Sequence, residues 1–333
     1  MRMIEKLNAE RRCSKSFRVG ILFCEENESH NGVALDIFER LKVPSLHGGL
    51  YSPALISSRF DERDFRLNML NIMNNKYDLL VSIGDYFTTL TIGIYKELGV
   101  VVPTVFAAVT DPVALGFVKS LEHPEGYTSG IIFEPEPALA YARNIALLYS
   151  PGASILVPYG PDSALGLLEK RARELSGALQ LVGLVPILAP INSLEEALFV
   201  LKENVHAIDG VAFVESGCAT IIISAIVKAS WLEKKPVIAA NSVDGLFLGA
   251  AASYGRSHRD IAESVVGMIY NTLDCRVPLA NQPVIVLPSN RFFIVNEAVL
   301  QQMGDVSDLV MRLRQEGVDV VRLWPMPPEV LEI

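Results

Sequence analysis

Residues 102–118, VPTVFAAVTDPVALGFV, form an apolar run broken once, by Thr110, Asp111 and Pro112. These are the residue types of a helix start: Asp111 is a good N-cap, its carboxylate accepting backbone N–H groups, and Pro112 suits the first helical position. A helix start explains Asp111 and Pro112 without any ligand, but it does not require a hydroxyl at 110. Polar clusters of the same kind follow other apolar runs: CEENESHNG from Cys24, GDYFTT from Gly84, YGPDS from Tyr159, ESGCAT from Glu215 and NSVDG from Asn241. Each brings carboxylates, hydroxyls or amides to the point where a strand would end. That is chemistry for holding a small polar solute.

It is not a pattern for catalysis. The loop after the first apolar run lacks G-x-G-x-x-G and a P-loop lysine. Ser216, in ESGCA, is not in a G-x-S-x-G elbow. His30, His47, His123, His206 and His258 are scattered without metal-ligand spacing, and Cys13, Cys24, Cys218 and Cys275 form no C-x-x-C. The expectation is no enzyme, no cofactor and no metal, with four free thiols.

The elements that would position these clusters alternate short apolar runs with longer helical ones, as parallel strands covered on both faces do. The strands expected are 17–24, 78–84, 104–109, 154–159, 181–187, 210–215 and 236–241, with helices at 32–42, 64–76, 137–150, 163–177, 193–205 and 258–274. In open α/β sheets ligands bind beyond the carboxyl ends of the strands, where all six polar clusters fall. The alternation pauses at 119–136, rich in Gly, Pro and Glu, and is irregular again at 250–256 and 275–290. Three crossings between two similar halves would make a bilobal clamp with a hinge, the alternative being two independent domains.

At 333 residues the chain is long enough for two domains. Half of it is hydrophobic and 20% is charged, so a large core is expected. The net charge of -9 and the lack of a basic stripe argue against a nucleic-acid partner. No stretch approaches the roughly 20 apolar residues of a membrane span, the longest candidate being broken at Glu215, Ser216 and Gly217. The first residues, MRMIEKLNAERRCSKSF, have no apolar core of a signal peptide.

The stretch 102–131 resembles the ABC transporter substrate-binding family that includes tryptophan- and phenylalanine-binding lipoproteins, through its Val-Thr-Asp-Pro, Ser-Leu and Pro-x-Gly-x-Thr-x-Gly residues. In register with it, DLLVSIGDYFTT (78–89), PVIAANSVDGLFLGAAASYGRSHRDIAE (236–263) and FFIVNEAVLQQMG (292–304) resemble further segments of the family, over about residues 17–304. The resemblance implies an α/β fold of two doubly wound parallel-sheet lobes joined by a three-strand hinge, the type I periplasmic-binding-protein architecture. The N-terminal lobe would comprise 17–130 plus 250–280 and the C-terminal lobe 131–249 plus 281–304. Residues 305–333 form a C-terminal extension whose periodicity suggests a helix and a short strand.

Closure of such lobes would bury a small ligand, and the resemblance implies an amino-acid-like one. Its ammonium needs a carboxylate, for which Asp85 and Asp111 are candidates; Asp85 stands where the family usually has Thr. Its carboxylate needs hydroxyls or helix-start N–H groups, for which Thr88, Thr110 and Ser216 are candidates. Tyr86 and Tyr159, flanked by polar residues, could stack on a ring. Glu25, Asn241 and Asp244 complete the set from the strand ends, whereas Glu26 and Glu28 read as solvated loop.

The function expected is therefore a solute-binding protein of an ABC importer, with the small-molecule ligand and the transporter's permease as partners. Membrane contact would come only through the transporter or a missing anchor. The alternative is a cytoplasmic ligand sensor of the same fold without a DNA-binding domain, since residues 1–16 are too short for one. Family members normally carry a leader with a lipid-anchored cysteine. Either a leader lies outside this sequence and the protein is periplasmic or extracellular, or it works in the cytoplasm.

Overall fold

A computed structural model describes residues 16–323, apart from 26, 47, 60–61, 134–137, 161–166, 215–219, 241–245, 247, 256–257 and 289–291 and the side chains at 28, 29, 133, 167, 220 and 221. The chain divides into two units, Met1–Glu134 with His258–Pro288, and Pro135–Ser257 with Ser289–Ile333.

The first unit is built on β1 (Ser16–Cys24), β2 (Leu50–Ser58), β3 (Leu79–Ile83), β4 (Thr104–Val109), β5 (Thr128–Phe133) and β11 (Ile285–Leu287). They form one sheet in the order β11-β5-β4-β3-β1-β2, and every pairing in it is parallel. Its helices are α1 (Glu28–Leu41), α2 (Glu62–Asn74), α3 (Asp85–Leu98) and α8 (His258–Leu273). Strand alternation fixes their sides. Val19, Ile21, Leu79, Val81 and Ile83 pack with Val33 and Ile37 of α1 and Ile261 and Val265 of α8. Leu22, Cys24 and Leu80 point the other way, onto Phe65 and Met69 of α2 and Phe87 and Tyr95 of α3. Apolar residues on both faces of each strand are why these strands read as continuous runs.

The second unit carries β6 (Ser154–Tyr159), β7 (Val185–Pro190), β8 (Gly210–Ala212), β9 (Val237–Ala239), β10 (Ala252–Gly255), β12 (Phe292–Asn296) and β13 (Asp319–Val321). Their order is β13-β12-β10-β9-β8-β6-β7, parallel except where β10 meets β12. Around them lie α4 (Ala138–Ala146), α5 (Leu167–Leu181), α6 (Leu194–Asn204), α7 (Thr220–Leu232), α9 (Glu297–Met303) and α10 (Ser307–Gln315). Ser193 starts α6 by accepting the Glu196 N–H at 3.1 Å, while the Glu196 carboxylate accepts the Asn192 N–H at 2.7 Å.

The sequence assigned 250–280 to the first half and 281–304 to the second. The structure moves both limits: β10 pairs with β9 and β12 and belongs to the second unit, and β11 pairs with β5 and belongs to the first. The helix and short strand expected after 304 are α10 and β13: β13 extends the second sheet beside β12, and Leu313 of α10 is fully buried in that unit's core. β2 and β5 were not expected. β2 is an edge strand with Pro53 inside it and mostly exposed or half-buried residues, so its hydrophobic signal is weak.

Candidate functional site

At the carboxyl end of β3 the chain turns into α3 through Gly84, whose φ of 90° and ψ of 160° suit only glycine. Asp85 is thereby the first residue of α3, and its carboxylate points at the end of β4. Asp85 Oδ1 accepts the Thr110 N–H at 2.8 Å and Oδ2 accepts the Thr110 hydroxyl at 2.6 Å. Thr110 reaches this position because β4 is irregular: Ala108 has a φ of 54°, and the β4–β5 register shifts between Phe106 and Val109. A bulge re-aims the side chains that follow it. The hydroxyl that a helix start left unexplained is thus a tie between two strand ends.

Asp111 differs from the expectation. Its Oδ1 accepts the Ala114 N–H at 2.9 Å, as a cap would, but no α-helix follows. The chain makes a compact set of turns, with Leu115 N–H donating to Asp111 O, Gly116 N–H to Val113 O and Phe117 N–H to Pro112 O. Gly116, at φ 71°, ends it. Asp111 remains exposed.

Glu25, at the end of β1, is exposed and its Oε1 accepts Arg59 Nε at 3.0 Å. Exposed pairs of this kind contribute little. Thr88 is completely buried: its hydroxyl lies 2.8 Å from the Gly84 carbonyl and 3.1 Å from the Ser82 hydroxyl. It braces the start of α3 from inside, because a short polar side chain there bonds back to the previous turn, and it has no surface to offer a solute. Tyr86 is half-buried, its ring 5.5 Å from that of Phe87. In the second unit Tyr159 ends β6, half-buried against that unit's core. Ser216, Asn241 and Asp244 lie outside the described residues. The structure therefore joins Asp85 and Thr110 directly, keeps Asp111 next to them in the chain, and removes Thr88 from the surface.

Sequence reasoning missed two histidines at the same end of the first sheet. His30 lies in the first turn of α1, where its N–H is capped by Asn27 Oδ1 at 3.1 Å. Its imidazole lies against Gly84, so close that a Cβ there would come within 2.5 Å of Cε1. His258, the first residue of α8, packs its ring on Gly32 in the same way. Burial, and then the charge of His258, lower the His30 pKa from 6.5 to about 4. The signal available in the sequence was the pair of glycines, Gly32 and Gly84, at helix starts where side chains are usual.

Among the described residues no group of three or more His, Cys, Asp or Glu side chains is placed to hold a metal ion. No helix among them is long and apolar enough to cross a membrane. The first unit thus places the exposed Asp111 carboxylate next in the chain to Thr110, whose N–H and hydroxyl are both held by Asp85.

Comparison with known proteins gives the family and the fold. A family model described as ABC transporter substrate binding protein matches residues 57–316. A Streptococcus pneumonia ABC domain solved in complex with L-Trp is 19% identical, with a TM-score of 0.74, over 91% of this chain and 100% of that one. A conserved domain protein of Vibrio cholerae O1 biovar El Tor is 18% identical, with a TM-score of 0.74, over 90% and 98%. A substrate-binding protein with adhesive properties from Clostridium difficile, in its ligand-free, open structure, is 19% identical, with a TM-score of 0.59, over 92% and 100%. At these identities the likeness establishes the fold, the type I periplasmic-binding architecture. The search of curated protein sequences found no match.

Proposed function

Since this chain belongs to the ABC transporter substrate-binding protein family, we propose that it captures a small amino-acid-like solute and delivers it to the permease of an importer. The observation that carries the proposal is the division of labour between the two carboxylates of the first unit. Asp85 has both oxygens engaged by Thr110. Asp111 spends one oxygen on Ala114 N–H and remains exposed, so it is the carboxylate left to meet a ligand's ammonium. The L-Trp bound to the Streptococcus protein supports an amino acid as the ligand class. Tyr86, half-buried in the first turn of α3, is the ring that the first unit offers to an aromatic side chain.

The protein would bind without turnover. Delivery to a permease places it at the outer face of a membrane. Titration calorimetry with the common L-amino acids, L-tryptophan and L-phenylalanine included, tests the proposal: saturable binding of one of them with the ligand recovered unchanged is expected. No heat with any of them, or conversion of a bound one, would overturn it.

A further inference from the structure

Two imidazoles meet at the point where three helices of the first unit begin. α8 packs along α1 with their N-termini side by side, since the His258 ring covers Gly32 of α1. The His30 ring in turn covers Gly84, from which α3 starts. Both contacts need glycine, because a Cβ at either position would overlap the ring. The packing extends to single atoms: Nδ1 of His30 and Nε2 of His258 are buried, and Nδ1 of His30 has no hydrogen-bond partner among the described residues. His258 is also the first residue after the chain returns from the second unit.

We propose that His30 is a proton-sensitive latch, which holds the first turn of α1 against the start of α3 while it is neutral and releases it when it is protonated. Among the described residues, the carboxylates at this end of the first unit already have partners or face solvent. Asp85 on α3 is engaged by Thr110, Glu25 at the end of β1 by Arg59, and Glu263 on α8 by Arg40. Arg259 and Asp260 of α8 are exposed, and Glu28 of α1 has a side chain outside the described set. His258 is the group that acts on His30 electrostatically, and it opposes the proton. The starts of three helices add the positive ends of their dipoles to that opposition. A proton on His30 would therefore be accommodated by moving the ring outward to water, which uncovers Gly84 and frees the first turn of α1 from the start of α3.

The direction of the effect follows from linkage. A histidine whose pKa falls from 6.5 unfolded to about 4 folded binds its proton more readily in the unfolded state. Stability is then complete above pH 6.5 and is lost as the pH falls towards 4. His30 alone would lower the folding equilibrium constant roughly tenfold by pH 5.5 and up to about 300-fold at the acid limit.

The test follows the imidazole resonances of the whole protein by NMR from pH 8 to 4, with His30→Gln to assign His30. Amide hydrogen exchange at pH 7 and pH 5, corrected for intrinsic rates, is measured alongside. The expected result is a His30 midpoint below 5, with the hydrogen-bonded amides of Asn31 at the start of α1 and Thr88 at the start of α3 losing protection at pH 5 in the wild type and keeping it in His30→Gln. A His30 midpoint near 6.5, or equal acid loss of protection in both proteins, would overturn the proposal. Should His30→Gln fail to fold, assignment passes to His258→Gln, and the wild-type midpoint and exchange pattern decide alone.

Discussion

Asp111 and Asp85 look alike in sequence, each an acid at the end of an apolar strand, and the structure gives them opposite tasks. Asp85 takes two hydrogen bonds from Thr110, so Asp85→Asn, which loses one acceptor and the charge, should lower the unliganded stability by about 1–3 kcal/mol. Asp111 accepts a single N–H on an exposed turn, and Asn caps as well as Asp, so Asp111→Asn should hardly change the melting temperature. If Asp111 meets a ligand ammonium, the same substitution weakens binding by about 2–5 kcal/mol, or roughly 30-fold or more. Thermal unfolding and calorimetry on both variants check the pair; unchanged affinity in Asp111→Asn removes that residue from the site. The sequence singled out both positions as acids at strand ends. The partnership of Asp85 with Thr110 was not legible there, because the two are joined only by the parallel pairing of β3 with β4 and by the irregularity at Ala108. Thr88 was misread for a related reason: its hydroxyl looked available in the run GDYFTT, but helical geometry turns it inward onto Ser82.

Among elements, α3 shows how backbone and packing act together. Gly84→Ala would place a Cβ on the His30 ring and force an L-residue into a glycine conformation, with an expected loss of about 1–3 kcal/mol. Gly93, inside the same helix, is the opposite case, because a Cβ there would meet no atom within 4 Å: Gly93→Ala should gain about 0.5–1 kcal/mol. Denaturant unfolding of the two variants checks the contrast, and a loss in both would mean that the helix tolerates no added methyl. At the far edge of the second sheet, Asn296 is fully buried, caps α9 at the Ala298 N–H, and exchanges hydrogen bonds with both backbone groups of Leu323. Asn296→Ala should cost about 2–3 kcal/mol and raise hydrogen exchange at 319–323, since the chain after β13 then loses both hydrogen bonds of Leu323. Elements with strong apolar runs, such as β1, β3, β4 and β6, were readable from the sequence. β2 and β11 were not, because they are edge strands with exposed or half-buried side chains, held in place by neighbours distant in the chain.

For the whole molecule, binding and stability are linked. A solute that binds only the folded protein at 100 times its Kd should add about 2.7 kcal/mol. For units of this size that is a rise of roughly 5–10 °C in melting temperature. Differential scanning fluorimetry with the amino acids that give calorimetric heat checks this, and a shift that does not grow with ligand concentration would contradict it. The α/β class and the family resemblance were legible because alternating strands and helices leave a periodic trace over the whole length. The limits of the two units were less so. They depend on whether β10 and β11 join one sheet or the other, which is a matter of strand pairing rather than of composition.

The first unit draws its last helix and its edge strand from residues that follow the whole of 135–257. On a ribosome, α1 and the strands of β1 to β5 emerge early, but α8, which covers the Val33, Ile37 and Val81 surface, comes only after that insert. At ordinary synthesis rates the delay is on the order of ten seconds. Through that interval the nascent N-terminal half carries an apolar face with nothing to cover it, a surface suited to a holding chaperone. Ribosome-bound chains stopped before 258 should therefore be far more sensitive to protease than chains stopped after 288 has cleared the exit tunnel.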